Sequence, residues 1–176
     1  RRLCTKTLQC VPFLPGVFLP MNASLDAYDL KLLAELQRDA STAQSELGLR
    51  VNLSTAAVNR RLKRLCDEGV IERYSAIVAP DALGHELSII VEVQVESERI
   101  DQIDALKRNF QACPQVQQCY YVAGECDFVL IFCVRNMAQY TQLTRELFFD
   151  NPNVKRFKTL VAMNRVKVGL EVPTAG

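Results

Sequence analysis

The sequence predicts an α+β chain in two units, a helix-turn-helix of winged-helix-like form followed by a βαββαβ unit built on one sheet. Three observations carry this. From Ser41 to Ile71 two short helical patterns flank a tight turn, and the second is basic on its outer face. Pro80 to Gly84 then gathers Pro, Asp and Gly, which marks a linker. Beyond it the apolar period alternates, and the patterns run strand, helix, strand, strand, helix, strand. The expected division is an extension at 1–20, a helix-turn-helix unit at 21–79, a linker at 80–84 and the βαββαβ unit at 85–176.

Arg1 to Pro20 sustain no helical or strand period and contain Pro12, Pro15 and Pro20. These prolines interrupt the apolar run a signal peptide needs, and no small-x-small site follows. Met21 reads as the natural start, with the upstream residues a non-native or disordered extension. In the first helix Leu25, Asp26, Asp29 and Leu30 stand at N′, N-cap, N3 and N4, an acidic capping box closed by an apolar staple. Leu32, Leu33 and Leu36 form its core stripe. Ser41 and Gln44 fit a second capping box, with Leu47 and Val51 turned inward. Asn52 falls where the turn needs a left-handed residue, which Asn tolerates well. Ser54 caps the third helix, and Leu53 packs on Val58.

At about 100° per residue, Val58, Leu62, Leu65 and Cys66 share the inward face of that third helix. Ala56, Arg60 and Lys63 point the opposite way, flanked by Asn59 and Arg64. Four cations lie from Arg60 to Arg64, and no acid precedes Asp67. Small and amide residues ahead of cations suit entry into the major groove of DNA: close backbone approach, then phosphate anchoring. A solvated basic face produces the same charge run, but the capped helix and turn before it favour the groove. The DNA-binding residues read from this pattern are Ser54, Thr55, Ala56, Asn59, Arg60, Arg61, Lys63 and Arg64. Gly69 ends the helix. Val70 to Val78 alternates in part like a strand, as a short wing or a connector would.

In the second half Leu87 to Val95 alternates as a half-exposed strand. Ile100, Ile103, Leu106, Lys107 and Phe110 recur at helical spacing up to Pro114. Val116 to Ala123 and Cys126 to Val134 are strands around Gly124-Glu125, a hairpin signal. Met137 to Phe149 is helical with Tyr140, Leu143, Leu147 and Phe148 as its stripe, and Val154 to Val168 carries the last strand. This order is the ferredoxin-like, split βαβ arrangement. Two helices cover one sheet face and leave the other for a second copy of the chain, so dimerisation is expected here.

With 49% hydrophobic residues the chain builds real cores, and a net charge of +1 confines any nucleic-acid contact to a local patch. No apolar run approaches the roughly 18 residues of a membrane span, so a soluble, cytoplasmic chain without membrane contact is expected. The 7 cysteines are odd in number and show no C-x-x-C pair, so neither a disulfide framework nor a metal site is indicated. They fit a reducing compartment, with Cys119 or Cys126 the candidates for any redox role. No cofactor and no catalytic residue is expected.

The chain resembles the Lrp/AsnC (leucine-responsive and asparagine regulator, or feast/famine) family. The resemblance rests on LDAYDLKLLAELQRDA, LSTAAVNRRLKRL and GVIERYSAIV in the first half. In the second it rests on VAGECDFVLIFCV, similar to the family's G-x-x-D signature, and on TLVAMNRVK. It covers Leu25 to about Pro173. Four residues depart from the family pattern. Ser41, Gly48 and Asn52 stand where Arg, Ala and Gly are usual, and Cys66 replaces a Glu that would pair with a helix Arg such as Arg61.

The resemblance implies a sequence-specific transcriptional regulator of double-stranded DNA, a homodimer or an octamer assembled from dimers, with an amino-acid-type effector bound between dimers. Carried over, Gly124 would let backbone N–H groups approach a ligand carboxylate, and Asp127 would hold an ammonium group. The same two residues also suit a turn glycine and a turn cap. Tyr121, Ala123 and Glu125 are their neighbours, and Thr159 to Ala162 lie further off. Two other readings compete, a ligand-independent architectural DNA binder and an enzyme like the heme-precursor decarboxylases of similar fold. The enzyme finds little support in a single His85 beside the linker.

Overall fold

The computed structural model describes residues 24–174, so the extension expected at 1–20 lies outside the described residues. Two compact units form, residues 24–76 with 169–174, and residues 77–168. The division differs from the expected one at both ends of the second unit. Pro80–Leu83 is a single 3-10 turn within it, closed by Gly84 at φ 71°. At the other end, residues 169–174 belong to the first unit, where Gln37 exchanges two hydrogen bonds with the Val172 backbone at 2.7 and 3.0 Å.

In the first unit, α1 (Ala27–Arg38) opens on the expected capping box. Asp26 accepts from the N–H groups of Tyr28 and Asp29, and Asp29 accepts in return from the Asp26 N–H at 3.1 Å. The second capping box does not form. α2 (Gln44–Val51) has Ala43 as N-cap, and Ser41 turns back to Asp39, donating its N–H at 2.8 Å and its hydroxyl at 2.6 Å. An aspartate two residues upstream is the nearer acceptor, so an Asx turn wins over the cap. Asn52 takes the left-handed conformation, φ 58° and ψ 48°. The turn beyond it runs so close to α2 that a Cβ on Gly48 would stand 2.5 Å from the Leu53 carbonyl oxygen. α3 (Thr55–Asp67) ends on Glu68 and on Gly69 at φ 74°. Leu32, Leu36, Leu47, Val51, Val58 and Leu62 close one core among the three helices. Residues 71–79 form no strand, so the segment is a connector and not a wing. Among the described residues no strand pairs with it.

The second unit contains β1 (Leu87–Val95), α4 (Ile100–Ala112), β2 (Val116–Tyr121), β3 (Phe128–Val134), α5 (Met137–Thr144) and β4 (Val154–Val161). The sheet order is β2-β3-β1-β4, antiparallel throughout, which is the ferredoxin-like arrangement. Ile89, Val91 and Val93 of β1 and Phe128, Leu130 and Phe132 of β3 pack with Ile103, Leu106, Phe110 and Phe148. Phe110 sits edge-on to Phe128 at 5.4 Å and to Phe148 at 6.1 Å. The last turn after α5, Arg145–Phe149, is π-helical, and it puts Phe148 into the core while leaving Phe149 outside. Two expectations change. Ile100, the first residue of α4, is 80% exposed and not part of the buried stripe. The last strand stops at Val161, where pairing with β1 runs out at Ile89.

Alternation and register place Ile90, Glu92 and Gln94 with Val129, Ile131, Lys158 and Leu160 on the face away from the helices. This face is mixed, with Lys158 3.4 Å from Glu92 and Arg156 2.7 Å from Gln94. Truncating Phe148 to Ala is expected to destabilise the second unit by about 3–5 kcal/mol through a core cavity. Urea unfolding with an unchanged slope would record it, and a loss under about 1 kcal/mol would show that the aromatic cluster is not the core's anchor.

Candidate DNA-binding face and effector hairpin

The outer face of α3 starts at Ser54, whose hydroxyl accepts from the Ala57 N–H at 3.3 Å. Val58, Leu62, Leu65 and Cys66 are buried on the opposite side. Thr55, Ala56, Asn59, Arg60 and Lys63 are exposed along two successive turns and the start of a third. Lys63 is held at 2.5 Å by Asp67, one turn on. Arg60 has no ion pair among the described residues.

Arg61 and Arg64 do not stand on that face. Arg61 bonds Asp26 at 2.7 Å and Asp29 at 2.8 Å, and lies 5.5 Å from the Tyr28 ring centroid. Arg64 bonds the other Asp29 oxygen at 2.5 Å. The Asp29 side chain is 1% exposed, so both guanidinium groups are bound to a carboxylate sealed under α1. Burial pushes the Asp29 carboxyl up, but hydrogen bonds from Arg64, the Asp26 N–H and Arg61 outweigh it and hold it below its ordinary 3.8. The Glu that Cys66 replaces is therefore not missed by Arg61, which has two carboxylates from α1 instead. Sequence reasoning placed Asp29 only in a capping box. Its second role was signalled by two cations, Arg61 and Arg64, three residues apart and therefore on adjacent turns of one side of α3.

At the hairpin, residues 122–127 form an open loop and not a tight turn. Ala123, Gly124 and Glu125 are exposed, and Gly124 does not adopt a left-handed conformation. A Cβ there would meet nothing within 4 Å. The turn-glycine role is therefore unnecessary, because a loop of this length closes without positive φ. Asp127 Oδ2 accepts from the Val95 N–H at 2.8 Å and so ties the loop to the end of β1. The Gln94 amide donates to the Glu125 carbonyl. Tyr121 stacks near Phe128 at 5.0 Å, with the Lys107 ammonium 5.0 Å from its ring centre. Thr159 is occupied with the Tyr140 hydroxyl at 2.6 Å. A shallow cleft of about 330 Å³ opens elsewhere on this unit, lined by Glu96, Gln102, Asn151 and Asn153 among others, and none of the expected effector residues lines it.

His85 is half-buried, with Nδ1 3.3 Å from the Cys133 carbonyl oxygen. Among the described residues no cysteine is joined in a disulfide, and burial pushes the Cys119 thiol up to about 11. No described helix is long and apolar enough to cross a membrane.

A capped three-helix unit presenting one polar, partly cationic helix, joined to a βαββαβ sheet unit, defines a helix-turn-helix DNA-binding protein with a separate regulatory domain. Comparison with known proteins agrees. Residues 25–72 match the winged helix-turn-helix DNA-binding model, and residues 88–172 match the Lrp/AsnC ligand binding domain. The chain is 35% identical to the leucine-responsive regulatory protein of Haemophilus influenzae, over 83% of its length and 88% of that protein. It is 42% identical to an uncharacterized HTH-type transcriptional regulator of Sinorhizobium fredii, over 85% and 88%. Among solved structures, an AsnC family transcriptional regulator from Agrobacterium tumefaciens superposes with a TM-score of 0.80 at 26% identity, over 85% of this chain and 97% of that one. A transcriptional regulator of Neisseria meningitidis in complex with L-Met does so with a TM-score of 0.80 at 25% identity, with the same coverage. The chain belongs to the Lrp/AsnC family of transcriptional regulators.

Two outcomes follow from the site. Because Asp29 is held below 3.8 in the fold, its contribution is complete above that value and is lost as pH falls through the lower folded value. Asp29→Asn should cost about 3 kcal/mol at pH 7 and flatten the loss of stability expected of the wild type as pH falls below 3.8, as read by chemical denaturation. An unchanged acid profile in the variant would remove the buried pair from the account. Cys119 in turn is expected to resist iodoacetamide at pH 8 until the chain unfolds. Labelling of Cys119 at the rate of a free thiol in the folded protein would contradict this.

Proposed function

We propose that α3 enters the major groove of double-stranded DNA and that a small amino-acid-type effector at the 122–127 loop modulates this binding, in a cytoplasmic homo-oligomer, either a homodimer or an octamer built from dimers. The observation that carries the reading is the sorting of the α3 cations. Arg61 and Arg64 hold the helix to α1, while Thr55, Ala56, Asn59, Arg60 and Lys63 stay exposed for bases and phosphates. Support for the effector comes from the ligand-binding model over residues 88–172 and from the L-Met bound to the Neisseria meningitidis relative. In the loop, Gly124 leaves space for a carboxylate to reach backbone N–H groups. Asp127 keeps Oδ1 for an ammonium group while Oδ2 holds Val95. The half-apolar sheet face of Ile90, Val129, Ile131 and Leu160 supports the dimer. The protein acts by binding and not by catalysis.

A second reading, an architectural DNA binder without effector, is favoured by the Asp127–Val95 bond, which gives Asp127 a structural task of its own. Mobility shifts on the protein's own promoter with a panel of amino acids separate the two. Asp127→Asn keeps an acceptor for Val95 and removes the charge. It should weaken effector binding by about 1.5–3 kcal/mol in calorimetry and leave ligand-free operator affinity at the wild-type level. Gly124→Val should block the effector without loss of stability, since its side chain meets open space. If both variants respond to the effector as the wild type does, the loop is not the sensor.

Self-association is read separately. Sedimentation of the full chain at micromolar concentration is expected to show dimers or larger species, and a stable monomer would rule out the oligomer.

A further inference from the structure

The four cations of α3 divide into three classes by geometry. Arg61 and Arg64 share a carboxylate that is 1% exposed, and the departure of either takes a donor from a buried charge. Lys63 is exposed but answers Asp67 at 2.5 Å, and it stands in the third turn of the helix. Arg60 remains, exposed, in the second turn, and without an ion pair among the described residues. Asn59 beside it is exposed as well, and no hydrogen bond engages its amide among the described residues. Ahead of both, Thr55 and Ala56 are short side chains that let the first turn approach a groove floor closely.

Recognition helices present their N-terminal residues to base edges and diverge toward the backbone further on. On that geometry Lys63 is a phosphate contact and the base-reading positions are Asn59 and Arg60. The planar guanidinium fork matches the O6 and N7 acceptors of guanine, and a carboxamide matches the N7 acceptor and N6 donor of adenine.

We infer that Arg60 and Asn59 are the specificity-determining pair of this regulator, so that each half-site of its operator carries a guanine read by Arg60 and an adenine read by Asn59. The inference rests on the proposed groove-binding role of α3 and deepens it by naming the target's bases. It also assigns Arg61 and Arg64 as positioning residues that touch no DNA.

The test is selection from a randomised duplex pool by the full-length wild type and by Arg60→Ala, Arg60→Lys and Asn59→Ala, followed by sequencing. The replaced side chains are solvent-exposed, and thermal melts confirm that each variant folds. Arg60→Ala should lose one guanine preference per half-site and bind the wild-type site roughly 5- to 150-fold more weakly, with the other positions retained. Arg60→Lys should keep the salt dependence and still lose that preference, because an ammonium has no fork. Asn59→Ala should lose one adenine preference in the same way.

The inference is overturned if the variants select the same motif as the wild type, or if Arg60→Ala weakens all duplexes equally with a salt slope about one unit smaller, the mark of a phosphate contact. A wild type that binds duplexes yet enriches no motif also overturns it. A wild type that retains no duplex removes the groove-binding role itself, which is a different failure from the loss of the base assignment.

Discussion

One buried carboxylate organises the DNA-binding unit. Asp29 caps the Asp26 N–H within α1 and receives Arg61 and Arg64 from α3 on its two oxygens. A carboxylate so enclosed is unfavourable unless its oxygens are hydrogen-bonded, and here three donors reach them. The consequence is orientational. Hydrophobic contacts among Leu32, Leu36, Val58 and Leu62 bring the two helices together but tolerate sliding, whereas fixed hydrogen bonds set the rotation of α3 about its axis. That rotation decides which side chains face out. Arg60 and Asn59 are presented because Arg61 and Arg64 are tied down.

Charge counting along the chain therefore misleads in a specific way. Four cations in five positions read as a basic patch, yet two of them neutralise acids of α1 and a third answers Asp67. What stays on the surface is a narrow polar ridge, which suits a chain of net charge +1. A ridge of that kind gives specificity through a few base contacts more than it gives bulk affinity for a polyanion.

The second unit shows the same economy of polar groups around the sheet end. Asp127 completes the hydrogen bonding of β1 at Val95, and the Gln94 amide supports the loop at Glu125 while accepting from Arg156. Asn153 does the equivalent work at the start of β4, pairing with the backbone of Ser97. The first two tie the 122–127 loop to the end of β1, without a glycine forced into positive φ. The family's G-x-x-D pattern is thus present in this chain as a loop whose aspartate has a structural partner and a free oxygen.

Sequence by itself determined the elements whose signal is local: the Asp26–Asp29 capping box, the Asn52 turn, the Ser54 cap, the apolar stripe of α3 and the alternation of β1. Each depends on residues within one or two turns or on the two-residue period of a strand, so the pattern contains the cause. The βαββαβ order was legible for the same reason. Tertiary structure decided what depends on a competing partner. Ser41 abandoned its helix for Asp39, residues 71–79 found no strand to pair with among the described residues, and the pairing of β4 with β1 ended at Val161. The sequence placed Arg61 and Arg64 among the DNA-binding residues without showing that both bond Asp29, because a cation on a helix does not reveal whether its anion lies across the core or outside the protein. Asp29 is some thirty residues away along the chain, and only folding brings it within hydrogen-bond reach.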